Sequence, residues 1–178
     1  MAGPYGQPLH PLAVSVPIGA WTGSLIFDIG SRVTGGSAGL ARGSFWLIAI
    51  GLAGALAAAL LGFLDLIAIP LGTRAARTAV LHMSLVLLVT AAYAGNLLWR
   101  HAEVAAGKVP LGPLALSAAS MAVLGAGGYL GGKLVFRYGV RVAEESDRAD
   151  GYQLPASGRA AEPRPPAAAE RGRAPRPR

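Results

Sequence analysis

The chain has 178 residues, of which 53% are hydrophobic and only 14% are charged. Residues 1–143 carry nine Lys or Arg and three acidic side chains, whereas soluble domains usually have charge on about a quarter of their residues. This composition argues against a water-soluble globular domain. With no cysteine in the chain, a disulfide scaffold, a thiol nucleophile and a thiolate metal centre are excluded.

Four segments each offer the roughly 20 mostly apolar residues that a helix needs to cross a bilayer. In chain order they lie near 12–31, 45–69, 79–99 and 113–136. They predict an all-α fold, a four-transmembrane-helix bundle. No Lys or Arg precedes Arg32, so a signal peptide with a positive n-region is a poor alternative for the first segment.

Helix boundaries are predicted from capping and breaking residues. Ser44 is expected to cap the second span, which Pro70 and Gly72 end. Proline is tolerated in a first helical turn, so Pro110 and Pro113 are expected to open the fourth span.

The composition changes beyond residue 143. Residues 144–178 hold six of the thirteen prolines and seven arginines, and we expect a disordered Pro/Arg-rich tail that is solvated or touches anionic lipid headgroups. The tail has few aromatic residues on which bases could stack, so no nucleic-acid partner is predicted.

An even number of spans places both chain termini on one side of the membrane. Lys and Arg near the span ends are slightly more numerous on that side, which predicts a multi-pass protein of the cell membrane with cytoplasmic termini.

Small residues recur at helical spacing within the spans, where they allow helices to approach closely. This pattern predicts tight packing inside a single bundle, or a homodimer formed through the fourth span. The glycines concerned are Gly19, Gly23, Gly127, Gly128, Gly131 and Gly132.

Polar side chains within spans are the natural place to look for function. Tyr93, Asn96 and Arg100 fall on one stripe of the third span. Several polar side chains are predicted to lie at one depth below the membrane surface, on the side of the two chain termini. They predict an intramembrane polar cluster, which is either a structural pairing or a working site. Its members are Asp65, His82, Lys133, His10 and Ser15.

Asp28 lies near the opposite end of the first span and is followed by Arg32 at i+4. That spacing predicts an ion pair at the helix end. No hydrolase triad spacing, phosphate loop or paired histidine motif is present, so no catalytic residue and no metal site are predicted.

Several motifs occur in order: Pro8-Leu9-His10-Pro11-Leu12, Val16-Pro17-Ile18-Gly19, Leu64-Asp65-Leu66, Gly72-Thr73-Arg74, Leu81-His82 and Gly131-Gly132-Lys133-Leu134-Val135-Phe136-Arg137. Over about residues 7–142 the chain resembles the uncharacterised prokaryotic membrane family called domain of unknown function 2231. The resemblance implies a four-helix membrane domain, which other members join to Rieske-type domains, a hint of a membrane redox partner. Ser15 and Tyr138 stand where members often have histidine.

Three main functions remain open, and an enzyme acting on a lipid substrate is a less favoured fourth. The first is a non-catalytic bundle that packs with itself or with a membrane partner in the lipid bilayer, and it needs no cofactor. The second is a redox-associated subunit that binds haem b through His82 and His10. The third is transport of a proton or small solute through Asp65, His82 and Lys133.

Overall fold

The structure, a computed structural model, describes residues 9–101 and 108–140. Every regular element in these two ranges is a helix, as the sequence predicts. The helices are α1 (Leu9–Ala13), α2 (Ser15–Val33), α3 (Ala38–Ile67), α4 (Arg74–His101) and α5 (Leu111–Phe136). The predicted disordered tail lies outside the described residues.

Four stretches are long and apolar enough to cross a membrane, and they confirm the predicted spans. They are Leu9–Val33, which combines α1 and α2, and the helices α3, α4 and α5. On α2, α3 and α4 the outward positions hold large apolar side chains, among them Ile26, Leu56, Leu60, Leu87 and Leu88. A surface of this kind suits lipid rather than water.

One predicted boundary is wrong. Helix α3 begins at Ala38, and its N-cap is Ser37, whose side chain accepts a hydrogen bond from the backbone N–H of Leu40. Ser37 has the extended backbone conformation of an N-cap, whereas Ser44, the predicted cap, lies inside the helix and is fully buried.

The long helices alternate in direction, and each one packs against its neighbours in the chain, while α2 also packs against α5. The interior between them is lined mainly by small residues. Gly51 of α3 shows why: a Cβ atom at this position would lie 2.3 Å from Trp21 Nε1. Glycine there lets the indole of α2 lie directly against the backbone of α3.

The bundle consists of two equivalent halves, α1 to α3 and α4 to α5. A Leu-His pair occurs in each half, as Leu9-His10 in α1 and Leu81-His82 in α4. Trp21 and Tyr93 follow the respective histidines after eleven residues, and Asp28 and Arg100 follow them after eighteen. Hydrogen bonds repeat as well. Trp21 Nε1 donates to the Ile48 carbonyl and Tyr93 Oη donates to the Ser117 carbonyl, both over 3.4 Å.

Equivalent residues of the two halves face each other across the bundle. Asp28 meets Arg100, Trp21 meets Tyr93, and His10 meets His82. Because α2 and α4 run in the same direction, these three pairs define a pseudo-two-fold axis parallel to the helices. They form three layers: a charged layer, an aromatic layer and a histidine layer.

Candidate functional site

The charged layer is a buried ion pair between α2 and α4. Arg100 Nη1 donates to Asp28 Oδ1 over 2.8 Å, and Nη2 donates to Oδ2 over 2.9 Å. The side chains of Arg100 and Asp28 are 2% and 0% exposed. This bidentate geometry provides the strongest form of pairing between the two groups.

All five donors of the guanidinium have acceptors. Besides the four contacts of Nη1 and Nη2 to Asp28, Ser44 and Ser117, Arg100 Nε donates to Asn96 Oδ1 over 2.9 Å. Ser44 and Ser117 in turn donate to the Asp28 carboxylate. Each of the four long helices therefore supplies at least one side chain to the network.

Asn96 completes the charged layer. Its Nδ2 donates to the Pro113 carbonyl over 2.8 Å and to Ser117 Oγ over 3.0 Å. The predicted stripe of Tyr93, Asn96 and Arg100 therefore points into the bundle, and all three residues are buried. A buried charge with its hydrogen bonds satisfied holds the helices in one arrangement.

The predicted pairing of Asp28 with Arg32 is wrong. Arg32 Nη1 instead donates to the carbonyl of Val109 over 2.7 Å, and the Val109 N–H donates to Ser31 Oγ over 3.3 Å. These bonds fix the segment before α5 onto the end of α2. Asp28 faces the bundle interior, where the Arg100 guanidinium donates two parallel hydrogen bonds to its carboxylate. This pairing replaces the contact with the i+4 residue on the next turn of the same helix.

The aromatic layer separates the charged layer from the histidine layer. The Trp21 and Tyr93 rings stack with their centroids 4.2 Å apart and an interplanar angle of 12°. Both side chains are fully buried, and each donates its one polar hydrogen to a backbone carbonyl. The layer is therefore tightly packed and has its hydrogen bonds made.

In the histidine layer, His10 and His82 lie with ring centroids 6.3 Å apart and planes at 89°. His10 Nδ1 lies 2.8 Å from the Ala58 carbonyl oxygen, and His82 Nδ1 lies 2.8 Å from that of Gly127. A carbonyl can only accept, so each Nδ1 carries a proton, and in the neutral imidazole each Nε2 then has the lone pair. Both rings are half-buried.

Glycines make room for both histidines. A Cβ at Gly62 would lie 2.9 Å from His10 Cε1, and one at Gly131 would lie 3.2 Å from His82 Cε1. Each glycine lies four residues after the carbonyl that its histidine contacts, one turn further along α3 or α5. The two halves therefore hold their histidines in the same way, by a backbone carbonyl and a glycine one turn further along the neighbouring helix.

The other members predicted for the terminal-side cluster lie as follows. Asp65 lines a small depression together with His10, Leu9, Leu61 and Leu64. Lys133 Nζ lies 5.9 Å from the centroid of the Tyr138 ring. Ser15 Oγ donates to the Leu12 carbonyl over 2.7 Å.

The glycines predicted to pack the helices fall into two groups. Gly23 faces Leu47, Gly127 faces Val86, and Gly131 faces His82, so these three pack between helices of the bundle. Around Gly19 and Gly128 there is open space, and the nearest side chain to Gly132 is Phe136 of the same helix.

Ser44, Ser117 and the duplication itself were not anticipated from the sequence. The signal was present: Leu-His occurs twice, followed at equal distances by an aromatic residue and by a charged residue of opposite sign. Comparing the chain with itself at a shift of 72 residues pairs His10 with His82 and Asp28 with Arg100.

These features define the class of protein: a duplicated, four-helix integral membrane bundle closed by a buried ion pair. The model of the family described as Predicted membrane protein (DUF2231) matches residues 6–144, and the chain belongs to this family. No curated protein and no solved structure matches the chain.

Proposed function

We propose that the protein is a non-catalytic membrane bundle that associates with a second copy of itself through the outward face of α5. The single observation behind this proposal is a difference between the two halves. Outward positions on α3 hold Trp46, Ile50 and Leu56, all more than half exposed. The equivalent positions on α5, 69 residues later, hold exposed Ala115, Ala119 and Gly125.

The physical reason is the difference between lipid contact and helix contact. Within a bilayer no hydrophobic effect drives helices together, so association depends on close van der Waals packing, for which small side chains are suited. The outer face of α3 is typical of a lipid-facing helix. On α5 the exposed positions from 115 to 128 are all Ala or Gly, which is typical of a helix-facing surface, and the large exposed side chains Leu111, Tyr129 and Phe136 lie on either side of this stretch. Because the same face serves both copies, the dimer is isologous.

A cysteine crosslinking experiment tests the proposal, and the natural chain has no cysteine to interfere. We expect Ala119→Cys to form a disulfide-linked dimer when native membranes are oxidised. The matched control is Ile50→Cys, the equivalent position on α3, which should stay monomeric. Gly125→Leu, added to Ala119→Cys, should abolish the crosslink because a large side chain would separate the two α5 helices. Equal crosslinking at positions 50 and 119 would contradict the proposal.

A haem-linked redox role is the second candidate, and the histidine layer favours it. Histidines that hold a metal commonly donate their other ring N–H to a carbonyl, as His10 and His82 are placed to do. Bound haem would supply one-electron chemistry, and His10 and His82 would be the residues that hold it. Its test is the absorption spectrum of protein purified in mild detergent, in which a Soret band must disappear in His82→Ala.

Transport through Asp65, His82 and Lys133 stays a prediction. A flux assay in vesicles tests it, with Asp65→Asn expected to abolish flux while expression is maintained. The contacts of Lys133 with Tyr138 and of His82 with Gly127 give this function no added support.

A further inference from the structure

The two histidines are equivalent under the pseudo-two-fold axis and are prepared in the same way. Each Nδ1 proton is bound to a carbonyl at 2.8 Å, which leaves each Nε2 lone pair for another partner. Among the residues that the structure describes, neither Nε2 has a hydrogen bond. Half-buried imidazole nitrogens of this kind suit a cation that takes nitrogen ligands.

The separation of the ring centres is the one expected if the two Nε2 atoms face a metal held between them. A metal bound to imidazole lies about 2 Å from the ligating nitrogen, and with about 1 Å more to each ring centre the centroids are about 6 Å apart. The observed centroid distance is 6.3 Å. Perpendicular ring planes are compatible with this arrangement, because each ring needs only to contain the line from nitrogen to metal.

We propose that His10 and His82 bind one Cu(I) ion between their Nε2 atoms. Imidazole is a good copper ligand, and Cu(I), a d¹⁰ ion, is stable with two ligands in a line. Zn(II) requires about four ligands. The described part of the chain contains no group of three or more His, Cys, Asp or Glu placed to hold a metal.

The surroundings also favour a small monovalent ion. A small depression beside His10 is lined by Leu9, Leu61, Leu64 and Asp65. Three of these side chains are apolar and one is a carboxylate, so a bound cation would lose much of its water but would lie near a negative group. The desolvation cost rises with charge, which favours a single positive charge at this depth.

The test uses the full chain in mild detergent under anaerobic conditions, with Cu(I) supplied by ascorbate reduction and a chromophoric chelator as competitor. We expect one Cu(I) per chain, and X-ray absorption should show two nitrogen ligands at short distance. His10→Ala and His82→Ala should each weaken binding at least tenfold. His101→Ala is the matched control, because His101 stacks on Phe45 rather than facing the pair, and it should bind as the natural chain does.

A milder substitution separates loss of a ligand from loss of the fold. Gly62→Ala keeps both histidines but places a Cβ against the His10 ring, so Cu(I) binding should weaken severalfold. If His82→Ala fails to fold, His82→Gln takes its place, and Cu(I) should raise the Tm of the natural chain but not of this variant.

Three results would overturn the proposal: unchanged Cu(I) affinity in both folded histidine variants, Zn(II) binding as tight as Cu(I) binding, or stoichiometric haem with no Cu(I) uptake. The last would instead establish the haem candidate. Crosslinking through α5 does not depend on any of these three results. Failure of the Cu(I) proposal and failure of the self-association proposal are therefore distinguishable.

Discussion

Asp28 and Arg100 bury opposite charges in a layer that also contains Ser44, Asn96 and Ser117. Removing two charges from water is expensive, and their attraction offsets that cost only when geometry and further hydrogen bonds are favourable. Here the carboxylate receives two guanidinium bonds and two serine hydroxyls. The free energy of unfolding should therefore depend strongly on both partners being present.

We predict that Asp28→Ala and Arg100→Met, made singly, each lower the free energy of unfolding by about 3–5 kcal/mol, because each leaves a buried charge without its partner. The double variant should cost much less than the sum of the two. Reversible unfolding in mixed detergent micelles measures these differences. Strictly additive losses would mean that the two side chains do not interact.

At the scale of single residues, the sequence predicted the burial stripe on α4 but assigned Asp28 the wrong partner. The i+4 rule considers one helix alone, and Arg32 satisfies it. His82 and Asp65 were predicted to lie in one cluster because they have equal depth below the membrane surface. The same argument applies at the opposite side of the membrane. Asp28 and Arg100 lie near the ends of two spans that run in the same direction, so the same argument would have paired them.

At the scale of elements, glycines have different roles according to the face on which they lie. Gly51 is in contact with the Trp21 indole, whereas no atom outside its own helix backbone and chain neighbours lies within 4 Å of a Cβ placed at Gly19. Sequence spacing identified Gly19 as a small residue within a span but could not show which face of the helix it lies on. The difference depends on the side chain that the opposite helix presents.

We therefore predict opposite effects for two matched substitutions. Gly51→Ala should destabilise the bundle by about 1–3 kcal/mol, since the new Cβ would overlap the indole. Gly19→Ala should be neutral or stabilise by up to about 1 kcal/mol, because alanine has the higher helix propensity. Thermal unfolding in detergent, followed by circular dichroism, compares the two variants. A larger loss for Gly19→Ala would contradict the packing described for α2 and α3.

The number, order and approximate bounds of the spans could be predicted because length and hydropathy alone decide them. The start of α3 could not, since Ser37 and Ser44 are equally good capping residues and only the backbone conformation selects Ser37. Small residues in the fourth span were recognisable from their spacing, but the outward face of α5 was not. It becomes informative only by comparison with the equivalent face of α3.

At the scale of the whole molecule, the three layers follow from one duplication. Each layer joins a residue of the first half to its equivalent in the second: an acid to a base, an indole to a phenol, and an imidazole to an imidazole. A pseudo-two-fold axis along the membrane normal is the geometry of parallel repeats in membrane proteins. On this account the charged layer should tolerate exchange of its two members, since they occupy equivalent positions.

The measurement that tests the pseudo-two-fold arrangement most directly is the stability of the exchanged variant, Asp28→Arg with Arg100→Asp, compared with that of each single substitution. We predict that each single variant, which places two like charges in the buried layer, fails to fold or loses more than about 3 kcal/mol. The exchanged variant should fold and recover most of that loss. An exchanged variant as unstable as the single ones would contradict the pseudo-two-fold arrangement of the bundle.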